Sequence, residues 1–173
     1  MLLSENRNWF VIQTKPRNEK KVEKQIIDKG VEVFLPLISS IRYWSDRKKK
    51  FQIPMFSGYL FVHASEDERV LAIKNTTGAL RYLFYEKRPA KLTENEIEGI
   101  KLSLKAPERV KVERSSFCRG DMVMITRGVF KGLKGLVSEI RGNYKLTVNL
   151  YELSMSLNIV LNPYEIELLK NIN

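Results

Sequence analysis

The sequence predicts an α+β fold in two modules, a βαββαβ-like sandwich over residues 1–104 and a small five-stranded β-barrel over residues 117–173. Three observations predict it. In the first part, apolar runs of strand length alternate with amphipathic helical stretches. In the second, the run GDMVMITRGVFKGLKGLV from Gly120 to Val137 spaces glycines at 128, 132 and 135 around Phe130. Glycines at such intervals fit tightly curved β-structure, where backbones approach closely or take positive φ. Between the two lies PERVKVERSS, polar and without helical period, so residues 105–116 read as a linker.

Trp9 to Thr14, WFVIQT, is rich in β-formers and forms the first strand. Pro16 ends it, and Asn18 is placed to cap a helix that runs to about Lys29 before Gly30. Val22 and Ile26 face inward on that helix. Arg17, Lys20, Lys21 and Lys24 fall within one arc, and only Ile27 breaks the amphipathic pattern. VEVFLPL, residues 31–37, is a second strand. Ile41, Tyr43, Phe51 and Ile53 then flank a polar run and predict a β-hairpin with Arg47, Lys48, Lys49 and Lys50 at its tip. GYLFVH, residues 58–63, reads as a buried strand. Glu66 to Lys74 is a short helix with Val70, Leu71 and Ile73 inside, and Ala79 to Tyr85 follows as a strand. Thr93 with Glu96 forms a capping box for a helix ending near Leu104.

Barrel strands are expected at 121–127, 136–141, 144–151, 156–161 and 165–168. The residues of the glycine run alone also suit an ordinary hairpin with a glycine-rich bulge. Gly142, Pro163 and the β-branched Thr147, Val148, Ile159 and Val160 set this segment against a helical alternative.

The composition narrows the function. The chain has 173 residues and a net charge of +10. Residues 1–63 hold twelve Lys and Arg against six Asp and Glu, and residues 64–103 balance at seven each. A basic first third points to a polyanion, nucleic acid foremost. The one cysteine, Cys118, allows no internal disulfide and fits a reducing cytoplasm. No apolar run reaches the roughly 20 residues of a membrane helix, and the N-terminus lacks a signal-peptide core. One histidine, His63, and one cysteine build neither a zinc site nor a His-containing triad. Phosphate-loop spacings are missing as well. The expectation is a monomeric binding module without cofactor, metal or catalysis.

The glycine run resembles the KOW motif of NusG-type transcription factors and several ribosomal proteins. Trp9-Phe10-Val11 before a helix, and MFSGYLFV at 55–62 after a basic hairpin, resemble the NusG N-terminal domain. Together these cover nearly all of residues 9–169. YLFV at 59–62 and Asn-Thr-Thr-Gly at 75–78 look like the specialised paralogs of the RfaH, LoaP and UpxY type, the last tied to capsular-polysaccharide operons. Ser57 stands where the family usually has proline. The resemblance implies a fold of NusG N-terminal domain plus SH3-like KOW barrel, and an elongation and antitermination factor on the RNA polymerase β′ clamp. It implies clamp contacts by Trp9, Phe10, Phe56, Tyr59, Phe61 and Phe84, with Tyr85 at the rim, although Trp9 and Phe61 suit a core role equally. It also implies upstream or non-template DNA along Lys15, Arg17, Lys20, Lys21, Lys24 and the hairpin cations, with Arg17 suited to a base edge. For the barrel it implies a ribosomal protein that doubles as a Nus factor, met by Phe130 and Tyr151. Phe130 suits the barrel core as well, and the absence of Gly and Pro from 152–158 sets the chain against Rho. Housekeeping NusG, or a ribosomal or RNA-binding KOW protein, are the alternatives.

Overall fold

The computed structural model describes residues 6–43, 48–85, 87–114, 121–140, 143–162 and 165–168, and they divide into two compact units, Met1–Leu92 and Thr93–Asn173. The fold is mixed, with three α-helices and many strands among the described residues.

In the first unit β1 (Asn8–Thr14) is central. It pairs antiparallel with β5 (Tyr59–Ala64) on one side and β6 (Ala79–Tyr82) on the other, and β2 (Glu32–Phe34) lies outside β5. The register Phe10↔Val62 and Ile12↔Leu60 puts four apolar side chains on one face. There they meet Val22 and Ile26 of α1 (Glu19–Ile27) and Ala72 of α2 (Glu66–Ile73) in one core. Fully burying each such side chain is worth about 1.5–3 kcal/mol. β3 (Leu37–Tyr43) and β4 (Lys48–Pro54) form a separate two-stranded arm, and β7 (Phe84–Tyr85) with β8 (Arg88–Pro89) forms a miniature hairpin. β9 (Lys91–Leu92) returns to pair with Trp9 and Phe10.

Several local expectations change. Asn18 makes no side-chain cap, since its amide donates to Pro16 O at 3.0 Å and the acidic Glu19 occupies the first turn instead. In α2 it is Ala72 that is buried, while Val70 and Leu71 are about half exposed, because the short helix turns only one residue fully inward. The strand expected over 79–85 breaks at Leu83, whose N–H bonds Val11 O while its carbonyl accepts from Ala90. Lys48, Lys49 and Lys50 are strand residues of β4, not a tip, and Arg47 lies outside the described residues.

The second unit begins earlier than the sequence implied. α3 (Glu94–Ser103) opens on the expected Thr93–Glu96 capping box but packs with the C-terminal strands. A Cβ on Gly99 would stand 3.3 Å from Leu133 Cδ1 and 3.6 Å from Leu157 Cδ1, so glycine permits the close approach. Asn95 fixes the helix to Lys134 by donating to its carbonyl at 3.1 Å and accepting from its N–H at 3.2 Å. Residues 107–114 of the expected linker carry regular structure. A 3-10 turn, Pro107–Arg109, leads into β10 (Val110–Arg114).

This strand joins β11 (Asp121–Ile125), β12 (Lys134–Ile140), β13 (Asn143–Leu150), β14 (Met155–Leu161) and β15 (Ile166–Leu168) in one antiparallel sheet. The order is β10-β14-β13-β12-β11-β15, six strands where five were expected. Val123, Ile125, Phe130, Leu133, Leu146, Val148, Leu157 and Ile159 are among the buried residues of this unit. By contacts the chain divides at 92, where the sequence placed a boundary at 104, and α3 approaches this sheet through Gly99.

Candidate nucleic-acid and protein interfaces

Lys15, Arg17, Lys20, Lys21 and Lys24 are all exposed, on the turn after β1 and along one side of α1. Arg17 holds a positive φ of 63°, which sets it apart from the helical run that follows. Lys20 Nζ donates to Gln52 O at 2.8 Å, so the basic arc reaches the arm that carries Lys48, Lys49 and Lys50. Lys49 Nζ sits 5.5 Å from the centre of the Phe51 ring. Lys20 thus ties the helix that carries these cations to the arm that carries the lysines. Such a surface can neutralise phosphates irrespective of sequence.

A second set of side chains, on α1 and in the turn just after it, was not singled out from sequence. Gln25 donates to Thr77 O and accepts from Thr77 N, both at 2.9 Å. Lys29 Nζ donates to Lys74 O at 2.5 Å, to Leu71 O and Ala72 O at 3.3 Å, and to Thr76 Oγ1. Burial lowers the Lys29 pKa from the usual lysine value. Lys15 N–H reaches Gly78 O at 2.8 Å. The turn over 74–78, with Asn75 at φ 55° and Gly78 at φ 99°, is therefore held against the basic helix and leaves Asn75 and Thr77 exposed. The spacing 18, 22, 25, 29 carried this signal, because those positions share one stripe of a helix.

The aromatic candidates separate by face. Trp9 stacks on His63 with ring centroids 4.8 Å apart and packs edge-on to Phe34 at 6.2 Å. Phe34 meets Phe61, and Phe61 meets Phe56. All lie on the sheet face opposite the helices, where His63 Nδ1 also contacts Glu32 Oε2 at 2.8 Å. Phe10 does not belong with them: the alternation of β1 sends it into the helix-side core against Tyr82. Trp9, Phe56 and Phe61 are at most 5% exposed, Tyr59 is half-buried, and Phe84 and Tyr85 are 58% and 53% exposed. Phe34 and His63 were missing from the expected set, although their register opposite Phe61 and Trp9 follows from strand pairing.

In the second unit Phe130 is fully buried, whereas Tyr151 is 54% exposed and accepts from Asn149 Nδ2 at 3.3 Å. Phe130 is a core residue because the turn Gly128–Gly132 folds it inward, with both glycines at positive φ. Among the described residues no helix is long and apolar enough to cross a membrane, and no group of three His, Cys, Asp or Glu could hold a metal.

Residues 7–101 match the family model described as "Transcription termination factor nusG". The transcription termination/antitermination protein NusG of Streptococcus pyogenes serotype M3 is 29% identical over 165 residues, covering 87% of this chain and 91% of its own length. The protein of that name from Lactococcus lactis is 27% identical over 179 residues, covering 96% and 95%. A solved structure of Thermotoga maritima NusG superposes with a TM-score of 0.52 at 24% identity, over 95% of this chain and 98% of that one.

Proposed function

The chain belongs to the NusG family of transcription termination and antitermination factors, and from that premise we propose that it is a specialised elongation and antitermination factor of RNA polymerase. Its first unit rides on the β′ clamp and suppresses pausing and termination in the cytoplasm, without a catalytic step of its own. The observation that carries this is the family match over residues 7–101, which spans the whole sheet-and-helix unit. The specialised assignment, of the RfaH, LoaP or UpxY type and on polysaccharide operons, rests on the YLFV strand and the Asn-Thr-Thr-Gly turn at 75–78. The second unit is read as a KOW barrel that binds a ribosomal protein.

The polymerase is met by exposed Phe84 and Tyr85 and by half-buried Tyr59, while Trp9, Phe56 and Phe61, at most 5% exposed, support the sheet from within. The exposed cations of α1 and β4 lie along upstream or non-template DNA, whose phosphates they can neutralise. A second reading, housekeeping NusG, is favoured by the names of the relatives. Purified elongation complexes separate the two. Added protein is expected to shorten pauses and to reduce release at a Rho-dependent terminator. Increased release would establish the housekeeping role, and no effect on either would remove the polymerase from the account.

A further inference from the structure

We propose that the edge of β14 is a strand-addition site, occupied here by the chain's own β10 and open to an extended partner segment with apolar residues at alternate positions. β10 is the outermost strand of its sheet and among the described residues pairs with β14 alone. Its five residues lie in the register Val110↔Ile159, Lys111↔Asn158, Val112↔Leu157, Glu113↔Ser156 and Arg114↔Met155. Val110 and Val112 are only half-buried and Lys111 is exposed. By contrast Met155, Leu157, Ile159 and Leu161 are buried, and β13 packs them from the other side through Leu150, Val148, Leu146 and Tyr144. Each of these four residues therefore has a β13 neighbour that does not depend on β10.

Among the described residues the side-chain ties of β10 are few. Asn158 Nδ2 donates to Glu113 Oε2 at 3.0 Å, and the ion pair of Lys111 with Glu113 at 2.8 Å lies within the strand and leaves with it. Asn158 keeps Thr147, whose Oγ1 donates to Asn158 Oδ1 at 2.9 Å. The firm attachment precedes the strand. Arg109 donates to Val160 O through Nε and Nη2, at 3.0 and 2.8 Å, and to both oxygens of the buried Glu165. β10 can therefore peel from its Arg114 end while Arg109 holds the other.

A bare sheet edge exposes unpaired N–H and C=O groups, so the exchange occurs when an incoming strand supplies the same bonds. The pattern it must offer is read from β10: apolar residues opposite Ile159 and Leu157, and an acceptor side chain within reach of Asn158. This goes beyond the polymerase assignment and rests only on pairing inside the second unit.

The probe is a labelled peptide with the sequence of residues 108–114, ERVKVER, added to the full-length protein. Val112→Pro weakens β10 by removing an N–H and a strand-compatible backbone, Glu113→Ala removes the Asn158 bond, and Val112→Ile is the control. The peptide is expected to bind Val112→Pro about tenfold or more tighter than the unaltered chain, with Glu113→Ala between them. Amide exchange in β14 is expected to rise in Val112→Pro and to be restored by the peptide. Equal affinity for all variants, or binding to none, overturns the proposal. So does loss of the second unit's cooperative unfolding in both Val112→Pro and Glu113→Ala, because β10 would then be integral to the sheet. Polymerase activity is not read in this experiment, so its outcome is independent of the function proposed above.

Discussion

The guanidinium carbon of Arg109 lies 5.2 Å from the centre of the Phe130 ring, and Arg109 Nη2 stands 2.6 Å from Glu165. One side chain from the stretch read as a linker thus covers the aromatic of the glycine-rich turn and neutralises a carboxylate that is 2% exposed. Gly128 belongs to the same group, because a Cβ there would stand 2.1 Å from Glu165 Oε1.

Removing Arg109 leaves that carboxylate buried without its partner. Arg109→Ala is expected to destabilise the second unit by about 2–4 kcal/mol, since breaking a buried pair costs more than the pair contributes. Arg109→Met retains the stem over Phe130 and should recover part of the loss. Urea unfolding followed by amide exchange over 121–161 measures both.

The same pair sets an acid limit. Burial alone would push the Glu165 carboxyl up, but hydrogen bonds from Arg109 and from Asn162 N–H hold it below the usual carboxylate range. A depressed folded pKa contributes stability that is full above the unfolded value, about 4.3, and lost as pH falls through the folded one. The second unit should therefore lose stability only below about pH 4.3. In Glu165→Gln that acid dependence should flatten, as a pH series of melting curves will record.

Phe84 and Phe61 separate docking from folding. Phe84→Ala should shift the melting temperature by no more than about 2–4 °C, because surface substitutions cost little. Its affinity for an elongation complex should nonetheless drop, and unchanged affinity would take Phe84 out of the interface. Phe61→Ala, at a fully buried position, should cost about 3–5 kcal/mol.

Charge removal on α1 has a distinct signature. Replacing Lys15, Arg17 and Lys21 with alanine should weaken DNA-dependent recruitment and lower the salt slope by about 2–3, at about 0.9 per phosphate. A weaker complex with an unchanged slope would mean that these side chains touch protein.

Much of this was legible in advance. The Thr93–Glu96 capping box, the Gly30 stop and the glycines at 128 and 132 are local chemistry, and local rules found them. The packing partner of α3 was not local: its capping box places the helix start, but nothing in ENEIEGIKLS says which sheet Gly99 approaches. β10 was missed for a related reason. VKVER alternates as a strand should, yet its charges and its neighbours Pro107 and Glu108 read as linker, and only the free edge of β14 makes it a strand. Phe10 and Trp9 were grouped because they adjoin in sequence, whereas a strand sends neighbours to opposite faces.

The attachment of α1 to the turn over 74–78 bears on how the protein can diversify. Gln25 addresses the backbone of Thr77, and Lys29 reaches the carbonyls of Leu71, Ala72 and Lys74. Those bonds are indifferent to what the side chains at 75 and 77 happen to be. Position 77 can be rewritten by mutation while the turn keeps its shape, whereas the left-handed φ of 55° at Asn75 restricts that position to residues that tolerate it, so a gene duplicate could acquire a new preference at 77 without first acquiring a new fold.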